Sequence, residues 1–161
     1  MVLLDYEKIV RIVIGMIKEK TGHIVIEADG IGKQPAYPFC TYTVTSPYLS
    51  QHRGVYEGGA ITEDVDLVFS LTWCSNSHLE VVSLAQQTAT YFKSVKAKQV
   101  LHDNGLAFIR TDGFGNRDTF ITIETERRHG FDMRLRTRVI HDEENGEYFE
   151  GIEINNETLG G

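Results

Sequence analysis

Residues 120–140, FITIETERRHGFDMRLRTRVI, decide how this chain is read. Two runs alternate with period two on either side of Arg128-His129-Gly130. Phe131, Met133, Leu135, Thr137 and Val139 point to one side of the second run. Asp132, Arg134, Arg136 and Arg138 point to the other, because successive strand side chains face opposite ways. With Gly130 left-handed in a three-residue turn, the runs form a hairpin. Its register sets Arg127 opposite Phe131, Glu124 opposite Arg134, Thr122 opposite Arg136 and, on the core side, Ile123 opposite Leu135. Three arginines on one strand face need counter-charge, and two sources stand side by side. Cross-strand ion pairs would supply it within the sheet, at a few tenths to about 1 kcal/mol each. Acidic residues of a second copy would supply it between chains, since guanidinium forks match interface carboxylates.

Working outward, Asp5 is placed to cap a helix from Tyr6, with Ile9, Val10, Val13 and Ile17 at helical spacing and Gly22 as terminator. Gly15 and the β-branched residues keep a strand open as the alternative. Strands are expected over 23–28, 39–45, 60–73 and 106–111, with 28–38 a loop and 46–59 a long exposed connection. Ser77-x-x-Glu80 has the form of a capping box opening an amphipathic helix to about Lys98. Residues 112–116 read as a flexible loop, 142–146 as an acidic turn, and 147–154 as a last strand before a polar tail that frays from about residue 155. The pattern predicts one α+β domain over 1–161, a mainly antiparallel sheet with two principal helices packed on one face.

With 161 residues, 41% hydrophobic and 24% charged, the composition is that of an ordinary globular chain. Apolar runs are too short for a membrane span, and the start lacks a basic signal region. The net charge of −7 opposes a general nucleic-acid binder, which needs a basic face to displace counterions. Cys40 and Cys74 make neither a metal motif nor a disulfide framework, and read as reduced, buried small hydrophobes of a cytoplasmic protein.

No catalytic signature emerges. Glu124, Glu126 and Asp132 gather near one end of the hairpin and invite an acid/base role, but Arg127, Arg128 and Arg134 offset them and no metal spacing is present. Asp142-Glu143-Glu144 lacks the ligand order of a calcium loop. The six histidines are scattered, and Gly113-Phe-Gly115 lacks the context of a phosphate cradle. Tyr37, Tyr42, Tyr48 and Tyr56 around a loop suit a protein interface better than a base-stacking platform, given the acidic balance. No cofactor and no metal are expected.

Several pieces in order carry a resemblance: the first helix ending in Lys20-Thr-Gly22, the Pro35-Ala-Tyr-Pro-Phe39 entry into a Thr/Tyr/Val strand, and the central amphipathic helix. Most specific is Glu126-Arg-Arg-His-Gly-Phe-Asp132 with its alternating arginines. Over nearly its whole length the chain resembles the neck or tail terminator proteins of tailed bacteriophages. The resemblance implies a virion protein without an active site, assembled in the bacterial host cytoplasm and placed at the head–tail junction. It implies a homo-oligomeric ring, commonly of six copies, that caps the tail tube, meets the head connector or head-completion protein, and passes DNA without reading sequence. Glu124, Glu126, Arg127, Arg128, Asp132, Arg134, Arg136 and Arg138 then become candidate subunit-contact residues, and the ring opening is expected to favour acidic residues over arginine.

Other readings remain. One is another neck, tail-completion or tail-tube protein, of which a tube subunit would form filaments. A small acidic enzyme using Glu124, Glu126 or Asp132 would need a concave pocket. A monomeric binding module would use the 46–59 loop.

Overall fold

The computed structural model describes residues 4–120 and 125–142. Asp5 caps α1 (Tyr6–Thr21) by accepting from the Lys8 amide, and Gly22, left-handed at φ 76°, closes it. The chain then forms β1 (Val25–Glu27), β2 (Phe39–Ser50), β3 (Val55–Glu57), β4 (Ala60–Ser75), α2 (His78–Lys93), α3 (Val95–Asp103), β5 (Leu106–Asn116) and β6 (Arg127–Asp142). The sheet runs β1-β2-β4-β6-β5, with β3 beside the start of β4. Among the described residues only β1 and β2 pair in parallel; the other ladders are antiparallel. The α+β class and the mainly antiparallel sheet stand as expected.

β4 and β6 form the spine, in register from Ala60–Asp142 to Ser75–Arg127 without a bulge. At about 3.3 Å per residue this ladder is roughly 50 Å long. One face carries Leu67, Phe69, Leu71 and Trp73 against Phe131, Met133 and Leu135, all at most 1% exposed. Val13 and Ile17 of α1, Val81, Ala85 and Phe92 of α2, and Leu101 of α3 complete that core. Each large side chain there is worth about 1.5–3 kcal/mol in removed apolar surface. Trp73, the sole tryptophan, donates its indole N–H to Thr88 Oγ1 at 3.0 Å, which satisfies the one polar atom it brings inside.

The structure corrects several expectations. The Arg128-His129-Gly130 turn does not exist: these residues lie inside β6, where Gly130 pairs with both Thr72 and Gly115. The glycine serves close strand packing, since a Cβ there would sit 2.0 Å from the Leu71 carbonyl oxygen. Arg134 therefore faces Val68 and Arg110, Arg136 faces Asp66 and Ala107, and Leu135 faces Leu67 and Phe108, in place of Glu124, Thr122 and Ile123. The two-sided alternation itself is as read, because the second run keeps its phase whichever strands flank it. Residues 112–116 continue β5 across a register shift, with Gly113 left-handed at φ 62° absorbing the irregularity.

The connection expected over 46–59 is mostly strand: β2 runs on to Ser50, and β3 returns through Gly58 and Gly59, both at positive φ, into β4. The helix expected to reach Lys98 breaks at Ser94, whose hydroxyl caps α3 by accepting from Ala97 N, so the described residues hold three helices where two principal ones were read. Ser77 caps α2 as expected, but Glu80 binds the Ser75 hydroxyl and does not close a reciprocal box. Cys40 and Cys74 are both buried and free, on opposite sides of the sheet because Cys40 pairs with Trp73. Burial pushes the Cys74 thiol up to about 12. The 147–154 strand, the tail and Glu124 lie outside the described residues. No helix among those described is long and apolar enough to cross a membrane.

Candidate functional site

The face of the sheet away from the core holds a ladder of charge built from β4 and β6. In the antiparallel register Asp64 stands opposite Arg138 and Asp66 opposite Arg136, so the spacing of the aspartates matches that of the arginines. Asp66, with no exposed surface, accepts from Arg136 Nε at 2.7 Å and Nη2 at 3.2 Å, and from Arg134 Nη1 at 3.5 Å. Gln51 Oε1 takes a further Arg136 N–H at 3.2 Å. Asp64 accepts from Arg138 Nε at 3.1 Å and meets His52 Nε2 at 3.2 Å. The Arg138 hydrogen bond, with help from His52, lowers the Asp64 carboxyl below its ordinary range.

Farther along, Asp132 sits directly opposite Asp112, a repulsive pairing that neighbouring guanidiniums relieve. Arg110 Nε binds Asp112 at 2.8 Å. Arg117 reaches over the sheet to Asp132 at 3.0 Å while donating to Ser70 Oγ at 2.6 Å and Thr72 Oγ1 at 3.2 Å. At the far end Glu126, 5% exposed, accepts from Tyr37 Oη at 2.9 Å and Arg128 Nε at 2.5 Å. That pair ties the 28–38 loop to the start of β6. Burial raises Asp118, but hydrogen bonds from the Arg128 amide, Arg127 and Asn116 outweigh it and leave the carboxyl lowered.

The sheet therefore brings Arg128, Asp132, Arg134, Arg136 and Arg138 onto one face. Arg127, one residue along from Arg128, points to the other and binds Asp118 at 2.8 Å. Each of these arginines has a carboxylate within its own chain: for Arg134, Arg136 and Arg138 it is cross-strand, on β4 and not on the hairpin partner expected, while Arg127 and Arg128 use Asp118 and Glu126. Glu126 and Asp132 do not converge: each is held by its own arginine, Glu126 just before β6 and Asp132 within it. Among the described residues no group of three or more His, Cys, Asp and Glu side chains is arranged to hold a metal. The tyrosines do not share a platform, since Tyr37 lies beside Phe39 at one end of the sheet and Tyr48 meets His141 at the other.

Reading along the chain missed Asp64, Asp66 and Arg117. The Glu63-Asp-Val-Asp66 run was a usable signal, because alternate aspartates complement alternate arginines on an antiparallel neighbour. Arg117 carried none, since it reaches its partners from a short segment outside the strands.

A family model described as phage neck terminator protein matches residues 6–161. Comparison with curated protein sequences finds no match. Among solved structures, a chain from the virion of a native gene transfer agent particle aligns at 15% identity with a TM-score of 0.43. The alignment covers 77% of this chain and 84% of that one.

Proposed function

This chain belongs to the phage neck terminator protein family, a family of structural virion proteins, and from that premise we propose that it forms the ring that terminates the tail at the neck. The ring is homo-oligomeric, six copies by the family resemblance. It caps the tail tube, offers its other side to the head connector or head-completion protein, and lets DNA pass without reading its sequence. The whole chain acts as one domain, is assembled in the host cytoplasm, and performs no catalysis. The observation that carries this reading is the family match, which spans α1, every strand of the sheet and the residues beyond β6.

The geometry supports a structural role. A roughly 50 Å two-strand spine with matched ion pairs is a stiff plate, suited to bearing load between partners. Of the candidate contact residues Glu124, Glu126, Arg127, Arg128, Asp132, Arg134, Arg136 and Arg138, Glu124 lies outside the described residues and the others are divided by their burial. Arg138, whose side chain is 66% exposed, is the one best placed to reach a neighbour while keeping its own carboxylate. Glu126 acts from inside, by holding the 28–38 loop. A ring whose opening carries more carboxylate than guanidinium would let DNA slide, since unpaired basic groups would bind phosphates.

Mass measurement and electron microscopy of the purified protein, alone and with tail tubes, test this reading. Closed rings are expected. Only monomer at high concentration with tubes present would overturn it, and filaments would favour a tube subunit.

A further inference from the structure

The arginines and lysines of this chain are used differently. Among the described residues every arginine except Arg53 is ion-paired, whereas no lysine is. The lysines also gather. Lys18 and Lys20 occupy the last turn of α1, Lys93 the last turn of α2, and Lys96 and Lys98 the start of α3, which leaves only Lys8 and Lys33 elsewhere. Glu19 is the one carboxylate on these turns. Between α1 and the α2–α3 junction runs an open groove of about 630 Å³, with Lys20 and Lys96 on its walls, Tyr91 and Gln87 between them, and no acidic residue in its lining. The Lys20 ammonium rests over the Tyr91 ring at 5.9 Å, which holds charge at the groove edge without neutralising it.

The complementary charge lies in the same sequence. Residues 143–157, which follow β6, carry Glu143, Glu144, Glu147, Glu150, Glu153 and Glu157 and no lysine or arginine. Extended, such a segment reaches about 50 Å. In sequence it follows Asp142, which pairs with Ala60 at the end of the β4–β6 ladder. Copies each carrying a net charge of −7 repel one another. Association therefore needs local patches of opposite sign, and the sheet-face arginines are already committed to Asp64, Asp66, Glu126 and Asp132.

We propose that the lysine groove between α1 and the α2–α3 junction receives the glutamate-rich 143–157 segment of a neighbouring copy. This rests on the ring reading above, in which each copy would present its groove to one neighbour and its acidic segment to the other, a heterologous contact. The lysines, more than the arginine stripe, are then the electrostatic handle between subunits. Because Lys20 and Lys96 are exposed, the contact weakens as salt rises.

The test uses the full chain, mixed in equal parts from ¹⁴N and ¹⁵N preparations and coupled with a zero-length carbodiimide. Mass spectrometry should find Lys20 or Lys96 joined to glutamates of 143–157 in mixed-isotope pairs. Lys20→Glu with Lys96→Glu should weaken association at least tenfold, Glu147→Lys with Glu150→Lys likewise, and the four together should restore most of it. Lys20→Ala with Lys96→Ala gives the milder loss, and circular dichroism checks that each variant folds. Same-isotope links alone would overturn the proposal by placing the segment on its own chain. So would rings unchanged by the lysine variants, which would leave the ring reading standing, or lysine variants that lose only duplex DNA retention. Wild-type protein that never associates would overturn both readings together.

Discussion

Asp66 and Arg136 meet across the two longest strands, with Arg136 Nε 2.7 Å from a carboxylate that has no exposed surface. The same aspartate also takes Arg134. One buried acid thus holds two arginines of the stripe in place, and the exposed Asp64–Arg138 pair beside it supplies an internal comparison.

Asp66→Asn should cost about 2 kcal/mol, because two guanidiniums lose their carboxylate in a half-buried position yet can still reach water. Asp64→Asn, at the more exposed pair, should cost less than about 1 kcal/mol. Urea unfolding followed by Trp73 fluorescence compares them directly. Equal losses would deny Asp66 its central place.

Gly130→Ala should be severe, at about 3 kcal/mol or more, since the new Cβ would collide with the main chain of β4, which cannot give way. Gly115→Ala, beside it in the register, meets nothing within 4 Å and should stay within about 1 kcal/mol. Thermal melts of the two variants separate a packing glycine from a turn glycine.

That contrast shows how far residue order alone could reach. The alternation of 131–139 exposed both faces of β6 correctly, because period two depends only on the strand itself. The partner of that strand did not follow. A glycine after Arg-His reads as a turn when only neighbours in sequence are considered, while its true constraint comes from Leu71, far away in the chain. Asp64 and Asp66 were visible as alternating acids, but their opposition to Arg138 and Arg136 needed the register. The two helix caps at Asp5 and Ser77 were legible because capping is local. The break at Ser94 was not, since the apolar spacing runs through it.

His129 should make the fold sensitive to mild acid. The residue is 9% exposed, neither ring nitrogen has a hydrogen-bond partner among the described residues, and Phe114 lies edge-on at 4.9 Å. Burial lowers its pKa; nearby His78 and Arg117 lower it further, and Asp118 opposes them. The unfolded chain therefore binds the proton more readily. The stabilisation from keeping the ring neutral is present above about pH 6.5 and is lost as pH falls below it. His129→Phe should match or exceed wild-type stability near neutrality and remove this slope. Denaturation midpoints of both proteins between pH 7.5 and pH 5 would show it, and parallel curves would refute it.

Thr88→Val should cost about 1–3 kcal/mol by leaving the buried Trp73 indole N–H without an acceptor. A shift in Trp73 emission together with a lower denaturation midpoint is the expected signature, with secondary structure unchanged.

Electron cryomicroscopy of the intact virion, with this chain located at the neck, tests the central claim most directly. A closed ring of identical copies between the tail tube and the head connector is the predicted result. Copies distributed along the tube, or none at the head–tail junction, would contradict it.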